Sequence, residues 1–293
     1  MPTLIDRQVA VLDWLDGHLV HARGGRRANY RPLSATYPSL DGLSPFELVS
    51  ELHQRWGVHQ FYLADLNLLQ GGHDTGAAEL ARAILDQGFT LWFDRGDMTN
   101  AAVTNATMTN PAIRGQASHA QELRPSLGPN FRPILGTESC SSPRELFQRL
   151  SSDRWRPVTV SLDLWRVGET WLWFGHPGAE LDSAEARGGS RPVSRYEQRP
   201  NSWREWTCLE LVAELSTRHV EEVLLLNLAD VGAEKTTTGP LLAAVRQNFP
   251  ALRILAGGGV RNLSAMTDLV AAGADRVLVG SWLWAQLAAI MRG

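Results

Sequence analysis

The sequence predicts an α/β fold, a single (β/α)8 barrel of the TIM type, on three observations. Eight short apolar runs alternate with amphipathic segments along almost the whole chain. Each run is nearly continuous in apolar residues, as parallel strands buried on both faces are. Short strings from the first half of the chain also reappear in the second half. The 293 residues fit one such barrel, typically of about 250 residues, with one insertion.

The eight predicted strands alternate with helices whose ends are marked. The strands lie at residues 9–14, 60–64, 89–93, 131–136, 158–164, 222–228, 252–256 and 276–280. Serine, proline and glutamate at 44–47 and again at 142–145 predict helix N-caps with capping boxes. Gly57, Gly88 and Gly273 lie where helices should end. A doubly wound sheet is the structural alternative, but it would need a break in this order that the sequence does not contain.

The internal repeat relates the two halves of the predicted barrel. Asp13 in VAVLDW corresponds to Asp163 in VTVSLDLW, and Gly136 in PILGTE corresponds to Gly280 in VLVGSW. Each half therefore carries an aspartate on its first strand and a Gly-Thr or Gly-Ser turn after its last strand. This correspondence predicts a half-barrel duplication.

Composition limits the classes of partner and compartment. Hydrophobic content of 44% and a net charge of −3 describe an ordinary globular chain without a broad basic field, so no nucleic acid partner is expected. Cys140 and Cys208 are too few for a disulfide framework and suit a reducing cytoplasm. No apolar run approaches the ~20 residues of a membrane span. We therefore expect a cytoplasmic protein with a small-molecule substrate, and the oligomeric state stays open.

Glycines end the last two predicted strands. Gly257, Gly258 and Gly259 follow the seventh strand, and Gly280 and Ser281 follow the eighth. In barrels of this class, the loops after strands seven and eight commonly form a phosphate site with a helix N-terminus. The alternative is that the three glycines only form a tight turn. The two adjacent strand ends together predict phosphate binding.

Asp13 and Asp163 each lie near the carboxyl end of an apolar strand, where barrel enzymes place catalytic groups. If the first and fifth strands face each other, the two carboxylates converge over the barrel. One of them would then act as general base and the other, with a raised pKa, as general acid. The alternative is that each aspartate only accepts loop N–H groups or pairs with an arginine.

Other polar residues are weaker candidates. The second, third and sixth strands end near further polar side chains, which are Asp65, Asp94 and Asn227. Each of them either lines the site or only caps a loop. Arg26 and Arg27 in the first loop would suit a second anion, and a solvated pair is an equal alternative. His73 and His176 have no partner at metal-ligand spacing, so no metal site is expected.

The segment 166–204 interrupts the regular alternation after the fifth strand. Connections longer than about 12–15 residues are usually functional or disordered. This one is rich in aromatic residues and arginines, including Trp171, Trp173, Tyr196 and Trp203. We expect one domain over 1–293 with 166–204 as a lid-like insertion that orders over the substrate and contacts it through Trp203. A disordered insertion is the alternative.

These motifs together resemble the histidine-biosynthesis barrels, in particular divergent relatives of ProFAR isomerase. The strings that carry the resemblance are VAVLDWLDGHLVHARGG, ILGTESCSSP, VSLD, AGGGVRN and VGS. They span the whole chain in the order of the family. On this resemblance Gly136 and Thr137 fall on a phosphate turn, and Trp203 falls on a tryptophan that closes over substrate.

The resemblance implies an enzyme without metal or organic cofactor. Its reaction would be the Amadori-type aldose-to-ketose isomerisation of a phosphorylated sugar-like metabolite, with Asp13 and Asp163 as the acid–base pair. Divergent relatives also occur beside genes for methanopterin-type one-carbon coenzymes, which implies that pathway. Two alternatives remain open: a non-catalytic phosphometabolite-binding or assembly protein, and a true ProFAR isomerase.

Three departures from the family pattern indicate a changed substrate. FDRGDM places Asp94 and Asp97 where the family has a second phosphate loop, and carboxylates repel an anion. Leu226 or a neighbour replaces a catalytic threonine, and Tyr62 replaces a histidine. We therefore expect a ligand with one phosphate.

Overall fold

A computed structural model describes residues 4–25, 27–96, 128–151, 158–167, 170–173, 202–233 and 235–292. Within these ranges, eight parallel strands form a closed barrel, which confirms the predicted fold. The strands are β1 (Gln8–Leu15), β2 (Gln60–Asp65), β3 (Thr90–Asp94), β4 (Phe131–Gly136), β5 (Thr159–Val167), β6 (Glu222–Asn227), β7 (Arg253–Gly257) and β8 (Arg276–Val279). Parallel pairing of β8 with β1, from Gln8 opposite Val277 to Ala10 opposite Val279, closes the barrel.

Helices connect most of the strands and pack around the barrel. They are α1 (Pro45–Trp56), α2 (Ala77–Asp86), α3 (Pro143–Leu150), α4 (Cys208–Thr217), α5 (Gly239–Asn248), α6 (Leu263–Ala271) and α7 (Ser281–Ile290). Shorter helices cover Leu33–Thr36 and Leu66–Leu69, and a small antiparallel extension of β1 covers His18–His21 and Arg31–Pro32. Residues 97–127, between β3 and β4, lie outside the described ranges. In the described part, no helix has the length and apolar character to cross a bilayer.

The helix ends follow the sequence signals closely, with one difference. At α1, Ser44 Oγ accepts from the Glu47 N–H while the Glu47 carboxylate accepts from the Ser44 N–H, which completes the predicted capping box. At α3, Ser142 caps in the same way, but the Glu145 carboxylate binds the N–H and hydroxyl of Ser141 instead. The second box is therefore shifted by one residue. Each serine still satisfies a free helix N–H group.

The barrel interior is apolar in its middle and polar at its floor, where the strands begin. At the floor, Glu222 accepts hydrogen bonds from Trp92 Nε1 at 2.8 Å and from Thr159 Oγ1 at 2.5 Å. Arg276 lies over the Trp92 ring, 5.3 Å from its centroid. These contacts join β3, β5, β6 and β8 at the end of the barrel away from the carboxyl ends of the strands.

Strand β5 continues beyond the barrel into the predicted insertion. It turns back as the antiparallel strand Thr170–Trp173, with Leu164 opposite Trp173. The chain is described again from residue 202, where a short 3-10 helix covers Trp203–Glu205. The described ends of the insertion therefore extend the barrel, and residues 174–201, with Tyr196 and most of the predicted lid, lie outside the described ranges.

Candidate active site

A cavity opens at the carboxyl ends of the strands, and its two sides differ chemically. On one side, which we call the acidic side, four carboxylates from the ends of β1, β3 and β5 and the turn after β4 line the cavity: Asp13, Asp94, Glu138 and Asp163. On the other, the glycine side, the turns after β7 and β8 contribute Gly258, Gly259, Arg261, Gly280 and Ser281. The predicted acid–base pair and most of the predicted phosphate turns therefore line one cavity.

Asp13 lies on the acidic side where β1 ends, half-buried and facing the cavity. Burial raises the pKa of its carboxyl to about 7, against a smaller opposing effect of the Arg27 guanidinium. A carboxyl with this pKa is partly protonated at neutral pH and is able to donate a proton.

Asp163 is buried at the end of β5 and is held by three donors. Its Oδ1 accepts from Ser161 Oγ at 2.7 Å, and its Oδ2 accepts from Thr137 Oγ1 at 3.1 Å and from the Glu138 N–H at 3.2 Å. These donors fix the carboxylate in one orientation as a hydrogen-bond acceptor. Asp163 is thus a positioned hydrogen-bond acceptor, whereas Asp13 is a carboxyl that is partly protonated at neutral pH.

Glu138 is a site residue that the sequence reasoning missed. Its Oε1 lies 2.6 Å from the Arg27 guanidinium, and burial together with the nearby Asp163 raises its pKa to about 7. The signal was its position directly after Gly136 and Thr137 in a predicted turn. Arg26 and Arg27 were predicted as a clamp for a second anion or as a solvated pair. In the structure Arg27 pairs with Glu138, and Arg26 lies outside the described residues.

Asp94 and Tyr62 complete the acidic side. The Tyr62 hydroxyl donates to Asp94 Oδ2 at 3.1 Å. Asp94 is only 2% exposed, and its Oδ1 has no hydrogen-bond partner. Burial, reinforced by the charges of Asp163 and Glu138, raises the pKa of Asp94 well above its ordinary value.

The glycine side begins with a turn that only glycine fits. Gly258 has a φ of +100°, and a Cβ there would lie 2.6 Å from the Asn227 carbonyl oxygen. Gly259 has a φ of +73°, and its Cβ would collide with the Lys235 carbonyl oxygen. The bare backbone has two roles, because it lets β6 and its loop approach and it exposes peptide groups to the cavity.

Helix α7 starts at the same side, with Gly280 as an N-cap that provides no side-chain hydrogen bond. Ser281, in the first turn, lies 2.8 Å from His21 Nε2 through its hydroxyl. Burial and then the positive charges of Arg261 and Arg23 lower the pKa of His21. A helix N-terminus without a side-chain cap, next to Arg261, favours an anion.

Several predicted site residues do not line this cavity. They are Asp65, Gly136, Thr137, Asn227, Trp203 and Gly257. Asp65 caps the helix Leu66–Leu69 by accepting from the Leu68 N–H, and its other oxygen lies 3.8 Å from Arg95. Asn227 is bound to the Ala229 N–H and the Thr237 hydroxyl. Both residues hold loops next to the site.

Trp203 and Thr137 are buried behind the cavity wall. Trp203 is 3% exposed, donates from Nε1 to the Cys140 carbonyl at 3.0 Å, and packs on Trp173 with ring centroids 5.2 Å apart. The Thr137 hydroxyl donates to Asp163 Oδ2 and accepts from the Asp163 N–H, so both of these hydrogen bonds are internal. A phosphate at the turn after β4 would therefore depend on backbone groups alone.

A closed (β/α)8 barrel with carboxylates and glycine turns at the carboxyl ends of its strands has the architecture of the TIM-barrel class. The family model for the histidine biosynthesis protein matches residues 132–288, more than half of the chain. The chain belongs to this histidine-biosynthesis family, as the motifs predicted. The match covers β4 to α7, with Asp163 and both glycine turns, but not β1 to β3. A search of curated proteins finds no match.

Proposed function

We propose that this protein is an acid–base enzyme that isomerises a phosphorylated sugar-like metabolite, with Asp13 and Asp163 as its acid and base. One observation carries the proposal. Two repeat-related aspartates line the same cavity as the turns after β7 and β8. Family membership supports an isomerase or a cyclase-type enzyme.

The glycine side would hold the single phosphate. Phosphate oxygens accept from backbone N–H groups that no side chain shields, and Gly258 and Gly259 keep that backbone bare. The first turn of α7 adds N–H groups and a favourable dipole. Arg261, which lines the cavity beside this turn, adds a positive charge.

The acidic side would carry out the proton transfers. In an Amadori-type reaction, Asp13 donates a proton to the ring oxygen, and the ring opens to a protonated imine. Asp163 then removes the proton from the neighbouring carbon, and that C–H electron pair becomes the double bond of an enolamine. Asp163 then returns that proton to the first carbon, while the hydroxyl on the second carbon gives its proton to the deprotonated Asp13, which leaves the aminoketose and restores both carboxyl groups. Atoms and electrons balance within the substrate, so no cofactor is required.

The direct test compares turnover and binding in two variants. A screen of phosphorylated metabolites by melting temperature identifies ligands, since a ligand at 100 times its Kd adds ~2.7 kcal/mol of stability. For a compound that binds and is converted, Asp13→Asn and Asp163→Asn should each lower turnover by about 10²–10⁴-fold while binding is retained. Asp86→Asn, an exposed carboxylate on α2, is the matched control. Unchanged turnover in both site variants would refute the assignment.

Two observations favour a non-catalytic binding protein as the second candidate. Leu226 lines the cavity where the family has a catalytic threonine, and Tyr62 replaces a histidine. A ligand that binds but is never converted, and whose binding is unchanged in Asp163→Asn, would support it.

A true ProFAR isomerase would restore growth of a histidine auxotroph, and we expect no growth. Precursors of methanopterin-type coenzymes belong in the ligand screen.

A further inference from the structure

A second pocket lies at the floor of the barrel, at the end opposite the candidate active site. It has a volume of about 200 Å³ and is lined by residues near the starts of β4, β5, β6 and β7 and by the turn between α4 and β6. Its charged lining residues and its histidine are Arg132, Arg218, His219, Glu221, Glu222 and Arg253. The acid–base chemistry at the other end of the barrel does not use this pocket.

Three arginines point into the barrel at its floor, namely Arg132, Arg253 and Arg276. Each lies two residues before a member of the apolar cluster inside the barrel, which are Ile134, Leu255 and Leu278. Because side chains alternate along a strand, the arginines share the inward direction of these residues. Among the described strand positions at this level, Glu222 carries the carboxylate that faces them, two residues before Leu224.

Glu222 offsets one of these three charges. Its Oε1 accepts from Trp92 Nε1 and Thr159 Oγ1, and its Oε2 lies 3.5 Å from Arg253 Nε. Glu221 Oε2 lies 3.3 Å from Arg253 Nη2, but the Glu221 side chain is 78% exposed, so water screens its charge. The floor inside the barrel therefore has an excess of positive charge.

Arg132 and Arg253 line the pocket with N–H donors to spare. Arg132 Nη1 donates to the carbonyl oxygens of Pro129 and Phe131, and in the described part of the chain its Nε and Nη2 donate to no group. No described carboxylate lies within 4 Å of Arg132. Arg253 donates from Nη2 to Glu221, which leaves its Nη1 without a described acceptor. Guanidinium groups with open donors suit an oxyanion.

The rim of the pocket adds a histidine in an unusual backbone conformation. His219 follows α4 with a φ of +59°, a conformation in which glycine is preferred at a helix end. Its neighbour Arg218 is balanced by Glu214 at 2.7 Å. The exposed His219 therefore places a polar ring at the pocket, where glycine would suit the backbone better.

We infer that the floor pocket binds the phosphate group of a small metabolite, at a site separate from the turns after β7 and β8. The open guanidinium nitrogens of Arg132 and Arg253 would donate to its oxygens. A phosphate dianion would balance the two positive charges that Glu222 leaves, whereas one carboxylate would balance half of them. A molecule bound at the floor is out of reach of Asp13 and Asp163, so it is not the substrate that they convert.

The test is a titration with inorganic phosphate, followed through assigned backbone amide NMR signals. In wild type, the amide signals of residues 219–222 should shift and saturate. In Arg132→Gln, the Kd at the floor should rise roughly tenfold or more, because a charged donor group is lost. Arg82→Gln, which removes an arginine of α2 that does not line the pocket, should behave like wild type. Sodium chloride at the same ionic strength controls for screening.

A second variant covers the case in which Arg132→Gln does not fold. Arg253→Gln removes the other guanidinium with an open donor and should weaken the same response. The inference is overturned if the floor signals of wild type do not shift, if sodium chloride shifts them as strongly, or if the Kd is unchanged in the variants.

The same titration separates this inference from the proposed function. The amide signals of Gly258 and Gly259 report on the phosphate turn after β7. Shifts at that turn alone would support the phosphate end of the proposed function and overturn the floor site. Shifts at the floor alone would support the floor site and contradict the phosphate end of the proposed function.

Discussion

At the scale of single residues, burial decides how the carboxylates of the site ionise. Asp13 and Glu138 both have a pKa near 7, each raised first by burial and each opposed by Arg27. Asp163 is fixed instead by donors on both oxygens. Residues of one chemical type thus take different roles because their surroundings differ.

The raised pKa values predict how stability depends on pH. The folded protein holds a proton on Asp13 up to a pKa of about 7, whereas the ordinary value is 3.8. Between these values the folded state binds more protons than the unfolded state, so stability should fall as pH rises through this window. Asp13→Asn should flatten that decline and be more stable than wild type above pH 7. Melting temperatures from pH 4 to 8 measure this, and identical slopes would contradict the raised pKa.

The sequence predicted which residues end the strands better than it predicted what they contact. Asp13, Asp163 and the turns after β7 and β8 reached the cavity because strand ends of a barrel share one face. Asp65 and Asn227 end strands too, but loop N–H groups engage their side chains. Glu138 was missed because its position depends on a pair with Arg27, 111 residues away in the chain. Such partners follow from tertiary packing and not from local pattern.

At the scale of elements, the glycine turn after β7 must expose its peptide groups to the cavity and also let β6 and its loop approach closely. A bulky acidic residue at Gly258 would seem a direct test of phosphate binding. Yet its Cβ would approach the Asn227 carbonyl to 2.6 Å at a φ of +100°, so the turn itself would be disrupted. Loss of binding in such a variant would not separate anion repulsion from a distorted backbone. The N-terminus of α7 offers a cleaner position.

Ser281→Asp should weaken phosphate binding without harming the fold. An acidic side chain in the first turn of a helix stabilises it by about 0.3–1 kcal/mol, but at this position it also repels an incoming anion. We expect at least roughly tenfold weaker binding of inorganic phosphate, measured by calorimetry, with an unchanged or higher melting temperature. Thr207→Asp at the N-cap of α4 adds the same charge away from the cavity. Equal effects of both variants would show that Ser281 is not at the anion site.

The β-hairpin that extends β5 holds Trp203 in the wall of the barrel. Its ring packs on Trp173 and its indole N–H is bound to Cys140. The sequence predicted a substrate contact for this residue because tryptophans in a long loop suggested a cover. In the structure its side chain is buried and hydrogen-bonded within the protein, so we expect it to stabilise the fold, and the contact with substrate stays a prediction.

Trp203→Ala should therefore act on stability. Removal of a buried aromatic side chain costs about 3–5 kcal/mol, whereas Trp203→Phe keeps most of the packing and loses one hydrogen bond, at about 1–2 kcal/mol. Urea unfolding measures both values. If Trp203→Ala unfolds like wild type but binds ligand more weakly, Trp203 is a ligand contact after all.

At the scale of the whole molecule, the two ends of the barrel have separate tasks. Glu222, Trp92 and Thr159 join strands at the floor, and the carboxylates and glycine turns lie at the opposite end. All eight strands were predictable, since apolar runs and turn residues alternate locally along the chain. The pairing of β8 with β1 was expected because the eight strands of a (β/α)8 barrel close on themselves.

The central claim is that Asp163 removes a carbon-bound proton from a phosphorylated substrate held by the turns after β7 and β8. Proton NMR of a phosphorylated aminoaldose with the enzyme follows that proton directly. With wild type, the signal of the hydrogen on the second carbon should disappear as the aminoketose forms. With Asp163→Asn, the compound should still bind but the signal should persist. Loss of the signal at the same rate in both proteins would contradict the role assigned to Asp163.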